Sequence, residues 1–153
     1  MLKPRLHRLE WTYTSSPIYF ITACTDRRRP LLAKDGVHRS FRVFAEEALN
    51  HRVWVGRYVL MPDHLHLFAG FADGSPKLSD WVSALKRTLS VALPYTRFPA
   101  PHWQKGFFDH ALRSAESYGQ KWAYVRDNPV RAGLVTVATD WAYQGEIFQI
   151  GML

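Results

Sequence analysis

Apolar positions along this chain change their period several times, and the changes mark its elements. Ile18 to Thr25 is dense in β-branched and aromatic residues and reads as a strand, closed by Asp26, three arginines and Pro30. Between Gly36 and Asn50, Val37, Phe41, Phe44, Ala45 and Ala48 recur at helical spacing and predict an amphipathic helix. Val53 to Leu60 and His64 to Phe71 read as strands joined by a short turn, Met61 to Asp63, and are expected to pair as a hairpin. Gly70 to Ser75 is a loop. Ser75 and Pro76 then predict a helix entry, Ser as N-cap and Pro at the first helical position. Leu78, Trp81, Val82, Leu85, Leu89 and Leu93 form its apolar stripe. After a proline-rich connection from Pro94 to Pro101, Trp103 to Leu112 reads as a fourth strand with irregular edges. Ser114 is expected to cap a third helix from Ala115 to about Asp127, limited by Pro129. From Val135 onward, and in the tail from about residue 136, the chain is aromatic but without clear period.

This order of elements predicts an α+β fold, an antiparallel sheet with helices packed on one face and the other face open for a site. Side chains alternate across a strand, so His64, His66 and Phe68 share one face while Leu65, Leu67 and Ala69 pack toward the helices. By the same alternation Asp63 is expected to point away from His64. On the third helix Tyr118, Trp122 and Val125 are spaced i, i+4, i+7 as a core stripe, and Tyr124 lies about 120° away from it. Asn128 follows Tyr124 on the same face, and Ser117 and Lys121 extend that polar stripe backwards.

Composition narrows the class. A chain of 153 residues is read as one domain with enough length for a full core. Twenty Lys and Arg against thirteen Asp and Glu give a net charge of +7, which favours a polyanionic partner, nucleic acid first. Six Trp, seven Tyr and nine Phe add faces on which unstacked bases can lie, although aromatic side chains also build cores. The single cysteine, Cys24, excludes an internal disulfide and a cysteine-based zinc site. No stretch approaches the roughly 20 apolar residues of a membrane span. The charged N-terminus is not followed by the apolar run of a secretory signal, so the expected compartment is cytoplasmic. Lys3, Arg5 and Arg8 in that segment are candidate DNA contacts, as are Arg27, Arg28 and Arg29, which read equally as a solvated turn.

Two clusters carry candidate chemistry. His64 and His66 can converge on one divalent ion, or can be two histidines of a solvent-facing strand. Tyr124, Asn128 and Lys121 read as a site on a polar helix face, or as a surface tyrosine beside a C-capping asparagine. Arg126 and Arg131 are further candidate backbone contacts.

The run Met61-Pro-Asp-His-Leu-His-Leu-Phe68, followed about sixty residues later by Trp122-Ala-Tyr-Val-Arg-Asp-Asn-Pro-Val-Arg-Ala-Gly-Leu-Val135, resembles the REP-associated tyrosine transposases. These are relatives of the small single-tyrosine HUH transposases of the insertion-sequence class. The resemblance covers Ile18 to Trp141 and includes the Trp103 to His110 pattern. It implies a ferredoxin-like sheet with the two histidines on a central strand. It also implies His64, His66 and Asn128 as ligands of Mg²⁺ or Mn²⁺, Tyr124 as the nucleophile, and single-stranded or hairpin DNA as the substrate. The implied reaction is nicking and strand transfer through a 5′-phosphotyrosine. A monomer acting in cis is expected, with a homodimer as the alternative. Two other functions stay open: hairpin binding without transposition, and a metal-dependent phosphodiesterase that uses water.

Overall fold

The computed structural model describes residues 9–10, 18–94 and 96–151; the candidate contacts Lys3, Arg5 and Arg8 lie outside them. The elements are β1 (Leu9–Glu10), β2 (Ile18–Cys24), α1 (Asp35–Glu47), β3 (Val53–Leu60), β4 (His64–Phe71), α2 (Leu78–Val91), β5 (Phe108–Leu112), α3 (Ala115–Val125), α4 (Asn128–Arg131), β6 (Gln144–Glu146) and β7 (Ile150–Gly151). The main sheet has the order β5-β2-β4-β3-β6, and every neighbouring pair is antiparallel. From β2 to β5 this is the β-α-β-β-α-β arrangement of a ferredoxin-like fold, and β4 with its histidines is the central strand.

One core lies between the sheet and the helix pair α1 and α2. Ile21, Ala23, Leu65, Leu67 and Ala69 meet Val37, Phe41, Trp81, Leu85 and Leu89 there. The expected register of β4 therefore holds. A second cluster forms on the opposite face, where Ile18, Phe20, Val59, Phe68 and Leu112 meet Tyr118 and Val125 of α3. The third helix thus closes part of the face that the sequence left open.

Strand β3 carries a bulge between Val55 and Tyr58. Both residues are fully buried in the first core although they are three apart, so the inserted residue resets the alternation. At Gly56 in the bulge the approach is close: a Cβ there would lie 2.7 Å from Ile150 Cδ1 and 2.9 Å from Tyr118 Oη, so any side chain would displace both. Sequence pattern gives the strand but not this phase shift.

Three boundaries differ from expectation. Helix α2 begins at Leu78 with Lys77 at the N-cap, not at Ser75 and Pro76. Ser75 N donates to Ala72 O in a turn through the left-handed Gly74, so the helix starts where its apolar stripe begins to pack. Strand β5 starts only at Phe108; Trp103 makes an isolated bridge to Thr25 and its indole N–H donates to Lys86 O and Ser90 Oγ. The aperiodic tail supplies β6, a fifth strand held by register from Arg57 to Val59.

Strand β3 is joined to α1 by a polar cluster. Arg42 donates to Tyr58 Oη at 2.8 Å, and Tyr58 Oη lies 2.6 Å from His38 Nε2. Burial, then the Arg42 charge, lowers the His38 pKa below its ordinary 6.5, with Asp35 opposing. A base with a lowered folded-state pKa adds stability that is complete above the unfolded value and is lost as pH falls through the folded value. Thermal unfolding midpoints are therefore expected to drop as pH falls below about 6.5. His38→Gln keeps an acceptor for Tyr58 and does not titrate, so it should flatten part of that drop; an unchanged slope would refute the assignment.

Candidate active site: a histidine pair facing a tyrosine helix

Both histidines project from β4 onto the α3 side of the sheet, their ring centroids 4.8 Å apart. Each is fixed through Nδ1. His66 Nδ1 lies 2.7 Å from Thr22 Oγ1, its cross-strand partner in register. His64 Nδ1 lies 2.8 Å from Asp63 Oδ1. In the tautomer with Nδ1 protonated, both donate along these bonds, and Nε2 carries the lone pair on each ring. Partners of this kind orient imidazoles that bind metals.

The contact with Asp63 corrects the expectation from alternation. Asp63 belongs to the turn before β4, so strand parity does not govern it. The turn is held in place by Thr25, whose backbone N and Oγ1 both donate to Asp63 O, at 3.0 and 3.1 Å. Arg28 Nε closes the cluster at 2.9 Å from Asp63 Oδ2. Partial burial works against ionisation of Asp63, but hydrogen bonds from His64 and Arg28 and their charges outweigh it and hold the carboxyl below its usual range.

His66 is deeply set. Phe20 stacks on its ring at 5.0 Å, and Lys121 Nζ stands 4.8 Å from the other member of that stack, Phe20. Burial first, then the charges of His64, Lys121, Arg28 and Arg131, push its pKa down to about 3. It is neutral at ordinary pH, the form a metal requires.

Helix α3 is placed by its ends and its stripe. Ser114 caps it as expected, accepting from Ser117 N at 3.0 Å. Tyr118 and Trp122 close on Phe68 at 4.6 and 6.3 Å, and Arg57 N donates to Tyr118 Oη at 3.3 Å. Tyr124 is 63% exposed, off the packing stripe as the helical wheel predicts. The helix ends at Val125, and Asn128 and buried Pro129 open the short α4. Arg131 locks this junction: its guanidinium lies 4.0 Å from the centre of the Tyr124 ring and donates to Tyr124 O at 2.8 Å and to Asn128 Oδ1.

The site is thus two clusters. Among the described residues no hydrogen bond or ring contact joins Tyr124 or Asn128 to either histidine; Lys121 and the charge of Arg131 link the halves. No group of three or more His, Cys, Asp or Glu able to hold a metal occurs among the described residues. A metal here would take two imidazoles and the Asn128 amide oxygen, which now accepts from Arg131.

The candidate DNA contacts divide. Arg28 turns inward to Asp63 and Cys24, and Arg29 donates to the carbonyls of Pro99 and Pro101. Arg27, with its side chain 89% exposed, and Arg126 face solvent. Sequence pattern does not place Asp63 and Thr22 among the site residues, and it marks Arg131 only as a backbone contact, not as the clamp on Tyr124 and Asn128; only the adjacency of Asp63 to His64 is a sequence signal.

The sequence thus builds a ferredoxin-like sheet with a histidine pair on its central strand and an exposed tyrosine on the helix covering that face. The family of IS200-like transposases matches residues 13–128, and this chain belongs to it. A Haemophilus influenzae protein carrying the REP-associated tyrosine transposase name is 21% identical over 141 residues, covering 86% of this chain and 80% of that protein. An Escherichia coli REP-associated tyrosine transposase is 26% identical over 89 residues, 58% of this chain and 52% of that protein. A solved structure of a REP-associated tyrosine transposase bound to a REP hairpin superposes with a TM-score of 0.68 at 20% identity, covering 94% of this chain and 82% of that one. Among the described residues no helix is long and apolar enough to cross a membrane.

Proposed function

We propose that the protein nicks and rejoins single-stranded DNA beside hairpins of the REP type, with Tyr124 as nucleophile. The observation that carries this reading is a solvent-exposed tyrosine on α3, the helix that packs on the same sheet face from which the two Nδ1-anchored imidazoles project. The hairpin substrate rests on the relative solved with one.

His64, His66 and Asn128 are the residues that would hold Mg²⁺ or Mn²⁺, with Asn128 Oδ1 released by Arg131. Imidazole is a poor partner for Mg²⁺, so Mn²⁺ suits the set better. A bound ion would polarise and orient the scissile phosphate. Tyr124 Oη attacks phosphorus, its proton passes to solvent, the bond to the 3′ oxygen breaks, and a 5′-phosphotyrosine forms. A second 3′-OH then attacks phosphorus and expels the tyrosine, so no external energy source is needed. Lys121 and Arg131 stand where they can meet phosphate charge, and Arg27 and Arg126, each in a long 4.0 Å ion pair with a neighbouring aspartate, are exposed enough to contact the backbone. We place the tyrosine in cis in a monomer.

Asp63 is a weak base for water, because hydrogen bonds from His64 and Arg28 stabilise its charged form and hold its pKa below the usual carboxylate value. The test is to incubate the protein with end-labelled hairpin DNA and Mn²⁺ and resolve it on a denaturing gel. A covalent adduct that disappears in Tyr124→Phe is expected. Binding without adduct would indicate a hairpin-binding protein only, and cleavage surviving Tyr124→Phe would indicate attack by water.

A further inference from the structure

Phe108 is unusual for its place. It is 70% exposed, and with Tyr124 it is one of two exposed large aromatic side chains among the described residues. It begins the edge strand β5, where an uncovered apolar side chain is a liability that proteins ordinarily remove. Its neighbour Phe107 packs against the first core, so an aromatic residue here had a buried alternative one position away.

Register decides which face Phe108 occupies. It pairs with Thr22, and Thr22 pairs with His66. Directly paired residues of an antiparallel sheet project to the same side. Phe108, Thr22 and His66 therefore form one row across three strands on the active-site face. Leu112, four residues along β5, packs in the α3-side cluster, which confirms the phase. Two strand spacings put the Phe108 Cα roughly 10 Å from that of His66. The next row is His110, Phe20 and Phe68, with the Lys121 ammonium over Phe20.

An exposed ring, a cation one row away and a candidate metal pair two strands along match what an extended single strand presents: a base face, a phosphate, and the next phosphate. We infer that Phe108 is a stacking platform for an unpaired base flanking the scissile phosphate, so that β5 forms the floor of a single-strand channel. This deepens the proposed function and rests on its placing of the site, though not on the nucleophile. A stacking face tolerates any base, so the contact sets the path of the strand and not its sequence.

The test uses the full chain as Tyr124→Phe, without added metal, so that no cleavage intervenes. Anisotropy with a fluorescent mixed-sequence single strand and with the corresponding duplex gives two affinities. Phe108→Ala is expected to weaken single-strand binding about tenfold, the scale of one base–aromatic stack, and to leave duplex binding unchanged. Phe108→Trp should restore it. A strand carrying iodouracil, irradiated on the protein, should crosslink to the peptide that contains residue 108. Equal single-strand affinity of the Phe108→Ala variant, or crosslinks only elsewhere, overturns the inference, as does a dimer that falls to monomer in Phe108→Ala with single-strand affinity unchanged. Nicking by the Tyr124-containing enzyme is assayed separately. Its absence alongside a positive crosslink counts against the reaction, and its presence alongside a null Phe108 result counts against the platform.

Discussion

Replacing His66 by alanine is expected to reduce formation of the DNA adduct at least about a hundredfold while the protein stays folded. The several kcal/mol of charge stabilisation that a bound cation supplies convert to rate at about 1.4 kcal/mol per tenfold. His66 is the imidazole whose protonation is most strongly opposed, by burial and by neighbouring positive charges. Its removal takes away the donor most securely poised as a neutral ligand. At neutral pH His66 is mostly uncharged whether folded or unfolded, so the expected cost to the fold is the Thr22 hydrogen bond and the Phe20 stacking, a lowered melt without unfolding. DNA binding through Arg27, Arg126 and Lys121 should persist. Adduct yield in Mn²⁺, DNA anisotropy and a thermal melt on the same preparation separate these effects. Adduct formation at the wild-type rate would remove His66 from the site.

Phe68→Ala is expected to be the most damaging single change to the fold on the active-site side, at about 3–5 kcal/mol, the range for truncating a buried phenylalanine. Phe68 has no solvent exposure and contacts Phe20, Tyr118 and Trp122. The α3 helix is docked through Tyr118 and Trp122, so the same cavity loosens the element that carries Tyr124. The expected result is a lower denaturant midpoint with an unchanged slope, and a loss of adduct larger than the fraction unfolded accounts for. Phe68→Leu keeps most of the volume and should recover much of both. If Phe68→Ala remains as stable as the wild type, the second cluster is not what holds α3.

Much of this architecture could be read from residue order. The strand Ile18 to Cys24, the hairpin around Met61 to Asp63, the register that sets His64 and His66 opposite Leu65 and Leu67, and the Ser114 cap all follow from local pattern. So does the exposure of Tyr124, because a helical wheel depends only on spacing along one element. These features are fixed by side chains a few residues apart, whose geometry the backbone supplies without help.

What the pattern could not give involves partners distant in sequence. The Gly56 bulge answers Tyr118 and Ile150; strand β6 comes from a tail with no period and exists because β3 has a free edge; α2 starts late because packing, not its proline, sets its first turn. The site shows the same division. His64, His66 and Tyr124 were legible, but Asp63 turns onto His64 only because Thr25 and Arg28 hold the turn, and Arg131 reaches both Tyr124 and Asn128 only because the helix breaks before Pro129. By itself the sequence determined the elements, their faces and the residue types able to do chemistry. Tertiary structure decided which α-helix covers which face, which side chains orient the histidines, and that Phe108 joins their row, because contacts between distant segments form only when the sheet is assembled.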